Sequence, residues 1–210
     1  MTIKTNNILI TALNILLFIA MVTVNALANA LPINGITTGQ LSDLYPNLFV
    51  PAGITFSIWG LIYVLLLLLV VFQFYAAIKN DTSILLPLKA QLILGLNFIF
   101  NAGWIFLWHY KLIFLSLLLM IGLLASLIYL FLKIVSLPTK TLHLLAVRAP
   151  ISIYFGWISV ATIANVTALL VSLNWSAWGV PEKIWTILVM AVGMMLALMI
   201  LHKYKCIMYA

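Results

Sequence analysis

The chain has 210 residues, 66% hydrophobic and only 6% charged, with a mean hydropathy of +1.27 and a formal net charge of +7. A soluble domain carries about 25% charged residues, so a water-soluble fold is excluded and an integral membrane protein is implied. The single cysteine, Cys206, excludes a disulfide within the chain and a zinc site built on cysteine spacing.

Uncharged runs of about 20 residues suffice to cross a hydrocarbon core about 30 Å thick at 1.5 Å per residue. Six such runs are predicted, at 8–29, 51–76, 87–108, 112–135, 147–173 and 182–203. They are continuously apolar rather than alternating, which points to helices and not to barrel strands. The expected fold is all-α, a polytopic membrane helical bundle.

The first run ends in Asn25, Asn29 and Pro32 without a small-x-small cleavage site, so it reads as a retained helix. Lys4, Lys79, Lys89, Lys133, Lys140, Arg148, Lys203 and Lys205 fall on one side of a six-span arrangement, against Lys111 and Lys183 on the other. The positive-inside rule then puts both termini in the cytoplasm. That bias explains the net charge, and no basic cluster interleaved with aromatics points to nucleic acid.

After the first span comes the longest connection, 30–50, whose length is that of a functional loop or lid, with a plain solvated connection as the alternative. Within it Asn34-Gly35 marks a turn, and Ser42 and Asp43 are candidate caps of a short helix. Pro87, Pro150 and Pro181 stand near the starts of the third, fifth and sixth spans, where a missing N–H matters little. Pro138 breaks the loop before the fifth. Trp175, Trp178 and Trp185 flank the last external connection and read as an interfacial belt rather than ligand contacts.

Polar residues inside the spans are ordered by face. Asn97, Asn101, Trp104 and Trp108 follow i, i+4, i+7, i+11 spacing and share one stripe at 100° per residue. Tyr154, Trp157, Ala161, Asn165, Ala168 and Ser172 share an arc of the fifth span, as do Thr55, Trp59 and Tyr63 of the second, while Asn14 and Asn25 share a side of the first. Amides in hydrocarbon are unfavourable unless paired, so these faces turn inward, either to join helices through hydrogen bonds or to shape a pocket. Tryptophans converging with a few amides fit a mostly apolar pocket with orienting polar groups.

No Asp, Glu or Lys lies in mid-span, which leaves a carboxylate proton relay or a Schiff-base lysine without a candidate. His109 is expected near the external face, and His143 and His202 near the internal one, all at solvated interfaces and too far apart for one metal site. Arg148, the only arginine, is expected to anchor the start of the fifth span.

These stripes resemble the tryptophan-rich sensory proteins, whose animal members are the mitochondrial translocator protein, or peripheral benzodiazepine receptor. Pro51, Trp59 and Tyr63 fit the family's Pro-x₇-Trp-x₃-Tyr framework, "FNAGW" matches at Asn101 and Trp104, and Pro150, Trp157 and Asn165 match its fifth helix, with Ala161 one turn beyond the tryptophan. The match covers about 8–173. The resemblance implies a five-helix core over 1–173 enclosing a ligand pocket under the 30–50 loop, with 174–210 adding a sixth helix and a short tail. It implies no obligatory cofactor and a porphyrin or haem-like, tetrapyrrole or sterol-like hydrophobic small molecule as ligand, with homodimer formation and a bacterial plasma membrane as further expectations. Gly53 and Thr162 stand where the family commonly has tryptophans, and Phe56 where it commonly has a proline.

The leading expectation is a non-catalytic binder of a planar hydrophobic ligand held by Trp59, Tyr63, Asn101, Trp104, Trp157, Ala161 and Asn165, in stress sensing or tetrapyrrole handling. The alternative is a small-solute transporter, or a subunit of one, that is not ion-coupled. Light-dependent porphyrin degradation ranks third, because Thr162 lacks the indole implicated in it.

Overall fold

The computed structural model describes residues 3–31, 33–135 and 143–209; the expectations for Pro32, Pro138 and Lys140 lie outside them. Among the described residues the seven α-helices are α1 (Ile3–Ala30), α2 (Thr38–Asp43), α3 (Ile58–Lys79), α4 (Leu88–His109), α5 (Ile113–Ile134), α6 (Ala149–Ser172) and α7 (Glu182–Tyr204). No strand occurs among the described residues. A 3₁₀ turn, Gly53–Ser57, leads into α3, and a π turn, Leu144–Arg148, leads into α6. Six of these helical segments are long and apolar enough to span a bilayer, so the protein is a multi-pass integral membrane protein.

Buried positions of α1, namely Asn7, Thr11, Asn14, Phe18, Met21, Asn25 and Ala28, recur at alternating steps of four and three, while Leu9, Leu13 and Leu16 face outward. Polar groups therefore sit inside and leucines meet lipid, the arrangement that hydrocarbon solvent imposes. Asn14 Nδ2 donates to the Gln91 carbonyl of α4 at 3.0 Å, and the approach depends on Gly95, where a Cβ would stand 2.6 Å from Asn14 Oδ1. Asn97 likewise donates to Ser126 Oγ of α5 at 2.7 Å.

Neighbour relations close a ring: α1 packs on α3 and α4, α4 on α5, α5 on α6, and α6 back on α3. Helix α7 stands outside it against α6, with Ile200 its one buried residue.

Prolines 87 and 181 cap α4 and α7 as expected. Pro150 likewise stands in the first turn of α6, preceded by the π turn Leu144–Arg148. Proline has no N–H and its ring crowds the carbonyl four residues back; the wide π turn immediately before it, in which Ala149 N–H reaches the Leu144 carbonyl, takes up the mismatch.

The 30–50 connection is folded. Asn34 and Gly35 both take positive φ, forming the expected turn, and Asn34 Nδ2 donates to the His109 carbonyl at 3.0 Å. The short helix is capped by Thr37 rather than by Ser42 or Asp43, which stand at its other end: Thr37 and Gln40 form a reciprocal capping box that leaves the later residues no orphan N–H to serve.

The other end of the bundle is closed by the C-terminal residues. Lys205, in the left-handed region at φ 53°, turns the chain back after α7. Cys206 then buries its thiol, which donates to Ser152 Oγ at 3.4 Å. Tyr209 packs on Phe155 at 4.5 Å between centroids and donates its hydroxyl to Ser159 Oγ at 2.9 Å. Arg148 donates to the Tyr204 carbonyl at 3.3 Å, so the arginine expected to anchor the fifth span also holds the end of the sixth.

Two histidines depart from the solvated interfaces expected of them. His109 is buried, with Nδ1 donating to the Ile105 carbonyl at 2.9 Å, and His143 is buried beside the π turn; His202 is exposed. Burial, reinforced by the Arg148 charge, lowers the His143 pKa below the usual imidazole value. A group bound to fewer protons in the folded state makes stability rise with pH through the window just below the unfolded pKa of about 6.5. Thermal unfolding in lipid nanodiscs should therefore occur at lower temperature at pH 5 than at pH 7.5, and His143→Gln should flatten that difference. An unchanged pH profile in the variant would remove His143 as the cause.

Candidate functional site

At the loop end, α3, α4 and α6 turn their aromatic stripes toward one another around Trp59. Its ring stacks with Tyr63 (5.5 Å, 24°) and Trp104 (6.4 Å, 29°), and meets Tyr154 (5.8 Å, 65°) and Trp157 (6.1 Å, 84°) edge to face. Trp104 in turn stacks on Trp108 at 6.2 Å. From above, Tyr45 leans on Trp108 at 5.8 Å and Phe56 sets its edge against Trp157 at 6.3 Å. Pairs of this kind contribute about 0.5–1.5 kcal/mol each beyond their area, so the cluster joins three helices and the loop.

Amides support the cluster from behind. Asn25 Nδ2 of α1 donates to Asn101 Oδ1 of α4 at 2.8 Å, and Asn101 Nδ2 donates to the Tyr154 hydroxyl of α6 at 2.8 Å. Three helices are thus linked across the ring by one chain of hydrogen bonds. Asn165 Nδ2 makes a longer contact, 3.4 Å, to Ser116 Oγ of α5, and its Oδ1 has no partner.

Two cavities flank Trp59. One, of about 40 Å³, is lined by Trp59, Trp104, Trp157, Ala161 and Asn165 together with Thr38, Phe56 and Trp108. The other, of about 190 Å³, is lined by Trp59 and Tyr63 with Asn25, Asn29, Thr38 and Phe56. The side chains of Phe56 and Trp59 wall both. Six of the seven residues singled out from the sequence therefore line a cavity, while Asn101, with no exposed surface, lies behind the wall with both ends of its amide engaged.

Phe56, Thr38 and Asn25 were not among the predicted site residues. Thr38 belongs to the 30–50 connection, where no helical period signals a face; Phe56 stands at the start of the second expected span but on a 3₁₀ turn, and Asn25 was legible only as one of a pair on α1. Trp108 and Tyr154 were read on the inward stripes. The indole N–H groups of Trp104, Trp108 and Trp157, the Thr38 hydroxyl and Asn165 Oδ1 are buried without a hydrogen-bond partner among the described residues, and all five residues line the 40 Å³ cavity. Such groups cost roughly 1–3 kcal/mol each when unsatisfied, a penalty that an incoming polar atom would relieve.

A larger cavity, about 580 Å³, lies between α6 and α7. Thr162 belongs to its wall, so Ala161 and Thr162, adjacent in sequence, face different spaces. Trp175 and Trp185 also line it, whereas the third member of that trio, Trp178, is 78% exposed at the surface. Among the described residues no group of three or more His, Cys, Asp or Glu could hold a metal ion.

No curated protein and no solved structure matches the chain. The model of a family described as TSPO-like protein matches residues 11–210 and so includes α7. With that match over nearly the whole length, and with six apolar spans in an all-helical bundle, the chain belongs to the TSPO-like protein family.

Proposed function

We propose that the protein binds a planar hydrophobic ligand, tetrapyrrole-like or sterol-like and carrying hydrogen-bond acceptors, between the indoles of the Trp59 cluster, and that it acts as a non-catalytic sensor or handler of that ligand. The observation that carries this reading is the set of unpartnered buried groups on Trp104, Trp108, Trp157, Thr38 and Asn165 around one cavity. Four of them can donate, so acceptors on the ligand edge satisfy them while its face stacks on the rings. The amides that would suggest a solute path are instead engaged: Asn14, Asn25, Asn97 and Asn101 each bond to a neighbouring helix.

Ligand pockets measure about 300–1,000 Å³, so the cavities of 190 and 40 Å³ must both merge and widen to take such a molecule. Phe56 is the movable partition. It sits on the 3₁₀ turn rather than on a full helix, and swinging its ring off Trp157 joins the two spaces. The loop then acts as a lid with Phe56 as its stop.

Tryptophan fluorescence of the protein in nanodiscs, titrated with protoporphyrin, tests this. Saturable quenching is expected, about 30-fold weaker in Trp59→Leu/Trp157→Leu, where two stacking surfaces are lost, and stronger than wild type in Phe56→Ala. Absence of saturation, or equal affinity in the double variant, would overturn the reading.

A further inference from the structure

The 580 Å³ cavity has no part in the aromatic site, and its walls have a chemistry of their own. It lies between α6 and α7 beside the contact where Gly193 faces Ile163, a Cβ there standing 3.8 Å from the isoleucine side chain. On one side the returning C-terminal residues fill the gap through Tyr209. On the other side nothing fills it, and the cavity runs along α7 from Glu182 to Val189, about 10 Å at 1.5 Å per residue. Pro46 and Phe49 of the loop close the top.

The polar side chains of the helical wall are turned back on their own backbone. Thr162 donates to the Ile158 carbonyl, Thr167 to Ala164, Thr186 to Glu182, and the Trp185 N–H to Ala177. What they present to the cavity is therefore methyl groups and ring surface. Asn47 and Ser176 also line the space, the Asn47 amide being engaged with Tyr45 and Phe49 of its own loop, and the charged group among the described lining residues is the carboxylate of Glu182, one of three acidic residues in a chain of net charge +7. One of its oxygens accepts the Leu48 N–H at 2.8 Å, which pins the loop to the start of α7 and fixes the group at the cavity mouth. Among the described residues no Lys, Arg or His lines the cavity, Lys183 at the next position lying outside the wall. Beside it, Trp175 and Trp185 set their rings 5.1 Å apart.

An apolar slot of this size with one carboxylate and two indoles at its mouth is complementary to one kind of molecule. Anionic lipids and detergents would bring a second negative charge to Glu182, and a neutral chain would leave the carboxylate without a counter-charge. A cationic head satisfies it and gains cation–π attraction from the indoles. We infer that the α6–α7 cavity is a second binding site, selective for a cationic amphiphile: a single apolar body carrying one amine or quaternary ammonium head, with the head at Glu182 and the body along Val166, Leu170 and Val189.

The test uses the full-length protein in nanodiscs of zwitterionic lipid and three photoreactive probes with the same dodecyl chain, bearing trimethylammonium, hydroxyl or sulfate heads. Saturable labelling by the cationic probe is expected on α6 and α7, competed by unlabelled dodecyltrimethylammonium. Glu182→Gln retains an oxygen to accept from Leu48 while removing the charge, and should weaken the cationic probe by about fivefold. Val166→Trp should abolish labelling by filling the slot. The Trp59→Leu/Trp157→Leu variant should label as wild type, so this site stands or falls separately from the aromatic one. Equal labelling by the hydroxyl probe, labelling that never saturates, or an unchanged Glu182→Gln variant would each show that bulk lipid fills the space and would overturn the inference.

Discussion

Replacing Asn101 with leucine is expected to destabilise the bundle by about 3 kcal/mol, the sum of two interhelical hydrogen bonds lost in hydrocarbon and the penalty for the partner left behind. Asn101 Oδ1 accepts from Asn25 and its Nδ2 donates to the Tyr154 hydroxyl. Asn25 keeps its bond to the Met21 carbonyl at 2.9 Å, but the fully buried Tyr154 hydroxyl is left with none. Adding Tyr154→Phe to Asn101→Leu should therefore change stability far less than it does in the wild type. Reversible unfolding in mixed micelles, run as a double-mutant cycle, reads the coupling directly. A loss below about 0.5 kcal/mol for Asn101→Leu would mean that the three-helix link contributes nothing net.

The second large effect is at Gly156. A Cβ at this position would collide with the Tyr209 carbonyl oxygen, and because that atom is backbone it cannot swing aside. Gly156→Leu should expel residues 206–209 from their seat on α6, breaking the Tyr209–Ser159 and Cys206–Ser152 contacts together. The chain carries its own reporter, since Cys206 is the sole cysteine and is buried. Its labelling rate with a small maleimide should rise at least about tenfold, the population change that corresponds to ~1.4 kcal/mol against the docked state. Ser159→Ala, which removes only one hydrogen bond, should give a smaller rise. An unaltered rate in Gly156→Leu would show that the tail does not depend on this seat.

Spans were the most legible part of the sequence, because apolar length and capping prolines are local properties. The third was expected at 87–108 and forms Leu88–His109, and the sixth was expected at 182–203 and forms Glu182–Tyr204. The fifth was expected at 147–173 and forms Leu144–Ser172, with Pro150 in the first turn of its α-helical part as expected and the preceding π turn as the part the sequence did not signal. Stripes gave the inward faces of α3, α4 and α6 except at two ends, where Thr55 and Ser172 are exposed. They could not give depth: whether a residue on an inward face lines a space or lies behind it depends on how far each helix slides along its neighbour, which separates Asn101 from Trp104. Phe56 was illegible because the start of its span is a 3₁₀ turn that does not keep the 3.6-residue period, and the returning C-terminus because it lies in no periodic segment. The pattern that marks them, a ring meeting another ring 100 or more positions away in the case of Phe56, exists only after folding.

The position of α7 outside the closed ring has a consequence for assembly. Every contact that closes the ring, including the return of α6 onto α3, is made by residues that precede α7 in the chain. A chain emerging from its N-terminus can therefore complete the five-membered ring while the last span is still being made. Helix α7 and the tail then dock onto a finished surface, as a latch set after the door has closed. Removal of residues beyond 174 would leave the helix pairs that close the ring in place while abolishing the space beside it and the contacts of α7 and the tail with α6 and the loop.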